Sequence, residues 1–234
     1  MALDLLVFGP HPDDLEIGLA GTIAKHASMG LAVGLCDLTA GELGTNGAPD
    51  DRRREAARAA DLLGARWREN LGWPDGAIEP APDRLRAVVD LLRRHQPRVV
   101  ALPYWQDRHP DHVDASRVLD LAVFRSGLRR VVTDADPWRP EWTCYYFINT
   151  SVPPSFVVDV SAHYDTKRAA LDCHQSQFAP GGEDPAPTRL THTTFRQLIE
   201  SRDAQFGAQA GVAFAEGLVV REPVVRPTLF RSTP

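Results

Sequence analysis

LDLLVFGPHPDDLEIG, residues Leu3 to Gly18, runs from a continuous apolar stretch through a proline into a histidine and two aspartates within four residues. An apolar run of that length, closed by Gly9 and Pro10, has the pattern of a strand buried on both faces. Beyond it Leu15, Leu19 and Ile23 recur at helical spacing, and Gly30 fits the stop. A buried strand, a tight turn and a helix open a βαβ unit. Turn and capping preferences account for Pro12 and for one aspartate. They do not account for His11, Asp13 and Asp14 together, which would make half of a metal site.

The same alternation continues. LAVGLCDLT (31–39) reads as a second strand, followed by the glycine-punctuated loop AGELGTNGAP. A helix is expected from Asp50 or Asp51 to about Gly64, with Ala57, Ala60 and Leu63 on one face. A short strand near RWREN, a turn WPDGA and a helix over Asp83 to His95 follow, and Pro97 precedes the strand RVVALPY (98–104). Further on, CYYFI and SFVVDV read as strands, Lys167 to Gln177 as a helix, Thr193 to Gln209 as a last helix and FAEGLVV as a last strand. The segment Ala179 to Thr188, with three prolines and two glycines, has the composition of a flap. Strands alternating with helices imply an α/β fold, a Rossmann-like, mostly parallel sheet flanked by helices. One domain over residues 1–234 is expected, with a small C-terminal β/α extension.

Charge and composition narrow the function. A net charge of −5 lacks the basic excess of a nucleic-acid binder. Only Lys25 and Lys167 are lysines, so the positive charge is nearly all arginine, suited to planar anions. Cys36, Cys144 and Cys173 are too scattered for a disulfide scaffold or a cysteine zinc site. No stretch has the length of a membrane span and no cleavable leader is evident, so a cytoplasmic address is expected.

The other half of the metal site follows RVVALPY. There WQDRHPDHVDAS carries His109, Asp111 and His112, so two strands each end in His-Pro-Asp. In a parallel sheet the strand C-termini share one edge, and loops distant in sequence meet there when their strands are neighbours. His11, Asp14 and His112 then offer three nitrogen and oxygen ligands, with Asp13 and His109 beside them. Three protein ligands with one open position is the make-up of a catalytic zinc site. A carboxylate that deprotonates water and an imidazole that steadies an oxyanion complete a machine for hydrolysing a carbonyl derivative.

These motifs resemble the LmbE/PIG-L family of zinc-dependent N-acetylglucosaminyl deacetylases. PHPDDLEIGLAGTIAK is similar to its first metal motif and DRHPDH to its second. GELGTNGAPDDRRREAARAADLLG, RENLGWPDG, KRAALDCHQSQF and AEGLVVREP resemble the branch that deacetylates N-acetylglucosaminyl malate in bacillithiol synthesis. The resemblance implies His11, Asp14 and His112 as ligands of Zn2+, with Fe2+ as the alternative metal, Asp13 as general base and His109 as oxyanion-stabilising residue. It places Arg52 on the sugar side of the substrate, with Glu55 following at the family spacing. Some relatives carry a tyrosine two residues before the second-motif histidine, where this chain has Asp107; Arg108 then stands in for it. It also implies a homo-oligomer, such as a hexamer.

The substrate expected is a small sugar conjugate: N-acetylglucosaminyl malate, or the inositol conjugate of mycothiol synthesis. Arg52, Arg53 and Arg108 are candidates for its carboxylates, and Glu42 for a sugar hydroxyl. His174 and His192, flanking the flap, are further candidates for substrate contact. Rival functions are a metal-dependent carbohydrate-binding protein without turnover, disfavoured by the intact Asp13, and a metallophosphoesterase, which would want more carboxylate ligands.

Overall fold

The structure, a computed structural model, describes residues 2–179 and 186–225. Most of the expected flap lies outside the described residues. A seven-stranded sheet carries the order β3-β2-β1-β4-β5-β7-β6. Strands β1 (Leu5–Gly9), β2 (Val33–Thr39), β3 (Trp67–Trp73), β4 (Val99–Pro103) and β5 (Trp142–Tyr146) are parallel neighbours. β6 (Phe156–Asp159) and β7 (Ala215–Val219) join antiparallel, so the C-terminal extension continues the same sheet.

Alternation along β1 splits the core in two. Leu6 and Phe8 pack with the face covered by α3 (Pro82–His95) and α4 (Pro110–Ser126). Leu5 and Val7 pack with α1 (Asp14–Ser28) and α2 (Pro49–Leu63). All five residues of β1 are buried, as an apolar run between two helical layers requires. Chain order reverses across the β1–β4 pair, the place where an open α/β sheet leaves a crevice at its strand ends.

Three expectations shift. Ala57 is exposed; α2 buries Arg52, Glu55, Ala56, Ala59, Ala60 and Leu63, a helical stripe whose first members are polar. Helix α4 occupies a stretch for which no element was expected, and its Ala115, Val118, Leu119 and Ala122 form a regular buried stripe. The helix expected over Lys167 to Gln177 is two, α5 (Tyr164–Cys173) and α6 (Gln175–Phe178), broken where His174 leaves helical geometry at φ −85°, ψ 55°. α7 (Thr193–Ala210) ends at Gly211 in the left-handed conformation.

Helix α1 is pinned from the far end of the chain. Arg202 of α7 donates to the Ile17 carbonyl at 2.8 Å and to the Phe147 and Ile148 carbonyls at 3.0 Å. Glu216 of β7 accepts from the Gly21 and Thr22 amides at 3.0 and 2.7 Å, and from the fully buried Lys167 at 2.7 Å. No helix among the described residues is long and apolar enough to cross a membrane.

Candidate active site

Pro10 to Asp13 turn the chain from β1 into α1. The turn is held by β2, whose Thr39 donates to the Pro10 carbonyl through its amide (3.1 Å) and hydroxyl (3.0 Å). Asp13 stands at the helix start with φ 148°, in the positive range an L-residue rarely adopts, and its side chain caps nothing. The carboxylate instead faces Arg52 at 3.4 Å. A cap explanation thus leaves Asp13 unaccounted for. The second loop leads from β4 into α4, and there His109 is the cap: its Nδ1 accepts the Asp111 amide at 3.2 Å.

His11, Asp14 and His112 converge, each buried, with candidate ligand atoms within 4.8 Å of one another. His11 Nδ1 lies 3.1 Å from Asp14 Oδ2, and His112 Nε2 lies 3.3 Å from the same oxygen. In a tetrahedral site with bonds of about 2.0–2.1 Å, donor atoms sit about 3.3 Å apart. The donor set therefore fits a small divalent cation such as zinc. Each imidazole is also held from behind. His112 Nδ1 faces Asp107 at 3.1 Å, and His11 Nε2 faces Asp75 at 3.0 Å and Asp111 at 3.2 Å. Carboxylates on the remote ring nitrogens fix the tautomer and aim the other nitrogen at the metal position. His109 is a possible partner of His11 and Asp111 in a second such grouping, but that grouping draws on the carboxylate that already holds His11 Nε2.

Electrostatics follow from this packing. Burial pushes His112 down, but Asp14 and Asp107 outweigh it and bring it to about 9. Burial likewise opposes charge on His11, and Asp111, Asp14 and Asp75 raise it well above the ordinary value. Burial would raise Asp14, yet the facing His112 and His11 hold it well below the carboxylate range. Asp13 goes the other way: burial lifts it to about 6 against the pull of Arg52. His109 is lowered, by burial and by His112 and His11.

These groups line a cavity of about 560 Å³ at the sheet edge. Arg52 reaches it from α2 but is engaged, donating to the carbonyls of Gly41 (3.0 Å) and Pro12 (3.2 Å) beside Asp13. Arg108 lines the cavity and is exposed. Arg53 does not line it: it lies on the outer face of α2, paired with Asp50 at 2.9 Å, because the inward stripe starts at Arg52. Glu42 is exposed and accepts the Asp75 amide at 2.7 Å, bracing the WPDG turn rather than facing the cavity. Glu55 is taken up by the Ser176 amide and hydroxyl. His174 is fully buried 3.3 Å from Glu16, and neither it nor His192 lines the cavity. Asp75, Asp107 and Asp111 received no role from the sequence; the strand-end position of the two motifs was the available signal for the latter two, and Asp75 looked like turn chemistry.

A family model described as PIG-L, GlcNAc-PI de-N-acetylase, matches residues 6–123. A crystal structure of the conserved protein TT1542 from Thermus thermophilus superimposes with a TM-score of 0.89 at 38% identity, covering 98% of this chain and 100% of that one. Diacetylchitobiose deacetylase of Thermococcus kodakarensis is 28% identical over 92% of this chain and 81% of its own length. A probable N-acetyl-alpha-D-glucosaminyl L-malate deacetylase 2 of Bacillus anthracis is 28% identical over 75% and 81%. A 4-oxalmesaconate hydratase of Pseudomonas putida is 25% identical over 91% and 87%.

Proposed function

This chain belongs to the PIG-L family of GlcNAc-PI de-N-acetylases, and from that premise we propose that it is a metal-dependent N-deacetylase acting on N-acetylglucosaminyl malate. The observation that carries the hydrolytic reading is the convergence of His11, Asp14 and His112 with Asp13 and His109 on one cavity. Zinc is the proposed metal, with ferrous iron the alternative. When bound, it supplies Lewis acidity toward an amide carbonyl and toward water.

The chain's own groups do the rest. Asp13, at about 6, is charged near neutrality and takes a proton from the attacking water. Arg52 holds that carboxylate in place. With Nδ1 occupied by the Asp111 amide, neutral His109 carries its proton on Nε2 and presents a donor to the oxyanion. The proton that Asp13 took from the water then passes to the leaving amine, releasing acetate and the free glucosamine, while His109 keeps its own proton on Nε2.

The malate assignment is supported by the resemblance of the 41–64 and 68–76 stretches and by the Bacillus anthracis relative. Relatives named for other glucosaminides keep the inositol and chitobiose conjugates as comparison substrates. The cytoplasmic address and a homo-oligomeric state belong to the same proposal. Metal-reconstituted protein incubated with the malate, inositol and chitobiose conjugates should release free amine, fastest from malate. Equal rates on all three would remove the malate assignment. The hydratase relative favours one second reading, addition of water to an unsaturated tricarboxylate of the 4-oxalmesaconate kind. Loss of that substrate's ultraviolet absorbance, with no amine released from any glucosaminide, would favour it.

A further inference from the structure

The cavity presents an electrostatic puzzle. Asp13, Asp14, Asp75 and Asp111 all line it, which alone would repel a substrate carrying carboxylates. Of the arginines expected to offset them, Arg52 is committed to Asp13 and two carbonyls, and Arg53 faces solvent. Two guanidinium groups remain on the cavity wall, Arg108 from the β4–α4 loop and Arg189 from the turn before α7. Among the described residues neither has an ion-pair partner, although carboxylates line the same cavity.

Arg189 is exposed, but its side chain has a support. Its guanidinium lies over the ring of Phe195 at 5.3 Å, and Phe195 is 3% exposed and also lines the cavity. Stacking on a fixed aromatic face restricts the long side chain while leaving the N–H edge of the guanidinium free for a planar acceptor. Leu190 beside it adds apolar wall. A pre-ordered, uncompensated guanidinium in a cavity is a site for a carboxylate.

We propose that Arg189, with Arg108, forms a carboxylate-binding subsite that selects dianionic aglycones, each arginine taking one carboxylate. The proposal rests on the N-deacetylase reading for the identity of the sugar, but not for the anion chemistry.

The test compares metal-loaded parent protein with Arg189→Ala, Arg189→Lys and Arg108→Ala on N-acetylglucosaminyl malate and on the neutral methyl N-acetylglucosaminide. The ratio of kcat/KM for malate over methyl conjugate should fall about 10- to 100-fold in Arg189→Ala, chiefly through KM on the malate conjugate, as for a lost hydrogen bond to a charged group. Arg189→Lys should recover part of the ratio, because it keeps the charge but not the bidentate fork. A ratio unchanged in Arg189→Ala overturns the subsite. If the parent releases amine from neither conjugate, the deacetylase reading fails instead, and calorimetry with free malate decides the subsite. Binding lost in Arg189→Ala supports it, and equal binding overturns it.

Discussion

Asp13 and Asp14 are adjacent and both buried, yet their surroundings push them apart: Asp13 upward to about 6 by burial, Asp14 well down by the imidazoles that face it. One is prepared to exchange a proton near neutrality and the other to stay an anion. Asp13→Asn should therefore retain about one equivalent of metal while kcat falls on the order of 10²–10⁴-fold, whereas His112→Ala should lose metal and activity together. Metal analysis beside the rate assay separates them; an Asp13→Asn protein as metal-free as His112→Ala would make Asp13 a ligand. A neighbouring cation lowers a carboxylate further, so the acid limb of the rate profile should lie no higher than about pH 6. His112 gives a second pH dependence. Raised from 6.5 to about 9, it adds stability to the metal-free protein that is complete below 6.5 and lost as pH rises through about 9. Metal must displace that proton, so apparent affinity should rise between those values, by up to about tenfold per pH unit for each proton released. Competition titrations against a chelator at several pH values would show a flat line if the imidazole were already neutral. Asp107 makes the third residue-scale prediction. It accepts from His109 N (2.9 Å), Asn149 N (3.0 Å) and Thr150 N (3.2 Å) while facing His112 Nδ1, so Asp107→Asn should weaken metal binding about 10- to 100-fold. His11, Asp14 and His112 were legible because imidazole and carboxylate repeat after two buried strands. Asp75 and Arg189 were not, because nothing local separates a turn aspartate or a loop arginine from one that faces a cavity.

Elements built from a single clear period were the readable ones. β1, α1 and α3 each follow one pattern and appear where the sequence puts them, within a residue or two at their ends. α2 deceived through its alanines, since a stripe that begins with Arg52 and Glu55 buries polar groups ahead of apolar ones. The close approach of α1 to β5 was invisible for a related reason: a glycine inside a helix is weak evidence of anything until its neighbour is known. A Cβ on Gly18 would lie 2.1 Å from the ring of Tyr146, whose hydroxyl donates to the Phe8 carbonyl at 2.8 Å. Gly18→Ala should therefore destabilise the fold by about 1–3 kcal/mol despite its better helix propensity, because the overpacked ring cannot yield without losing that bond. Denaturant unfolding checks the sign, and a stabilised variant would mean that α1 can slide away from the sheet.

For the molecule as a whole, the α/β class and the meeting of two loops about a hundred residues apart were legible from strand-helix alternation alone. The antiparallel β6–β7 edge was not, because short apolar strands carry no sign of their direction. That edge matters through Glu216 and, beside it, Arg202, the two side chains that pin α1. During synthesis a nascent chain that has emerged only past His112 already carries every candidate metal-facing side chain, but it still lacks Arg202 and Glu216, which pin α1 from the far end of the chain. The helix that carries Asp14 would gain its last restraints only once α7 and β7 have been made. A chain stopped before Thr193 should accordingly bind metal more weakly than the complete one, although it contains all three candidate ligands.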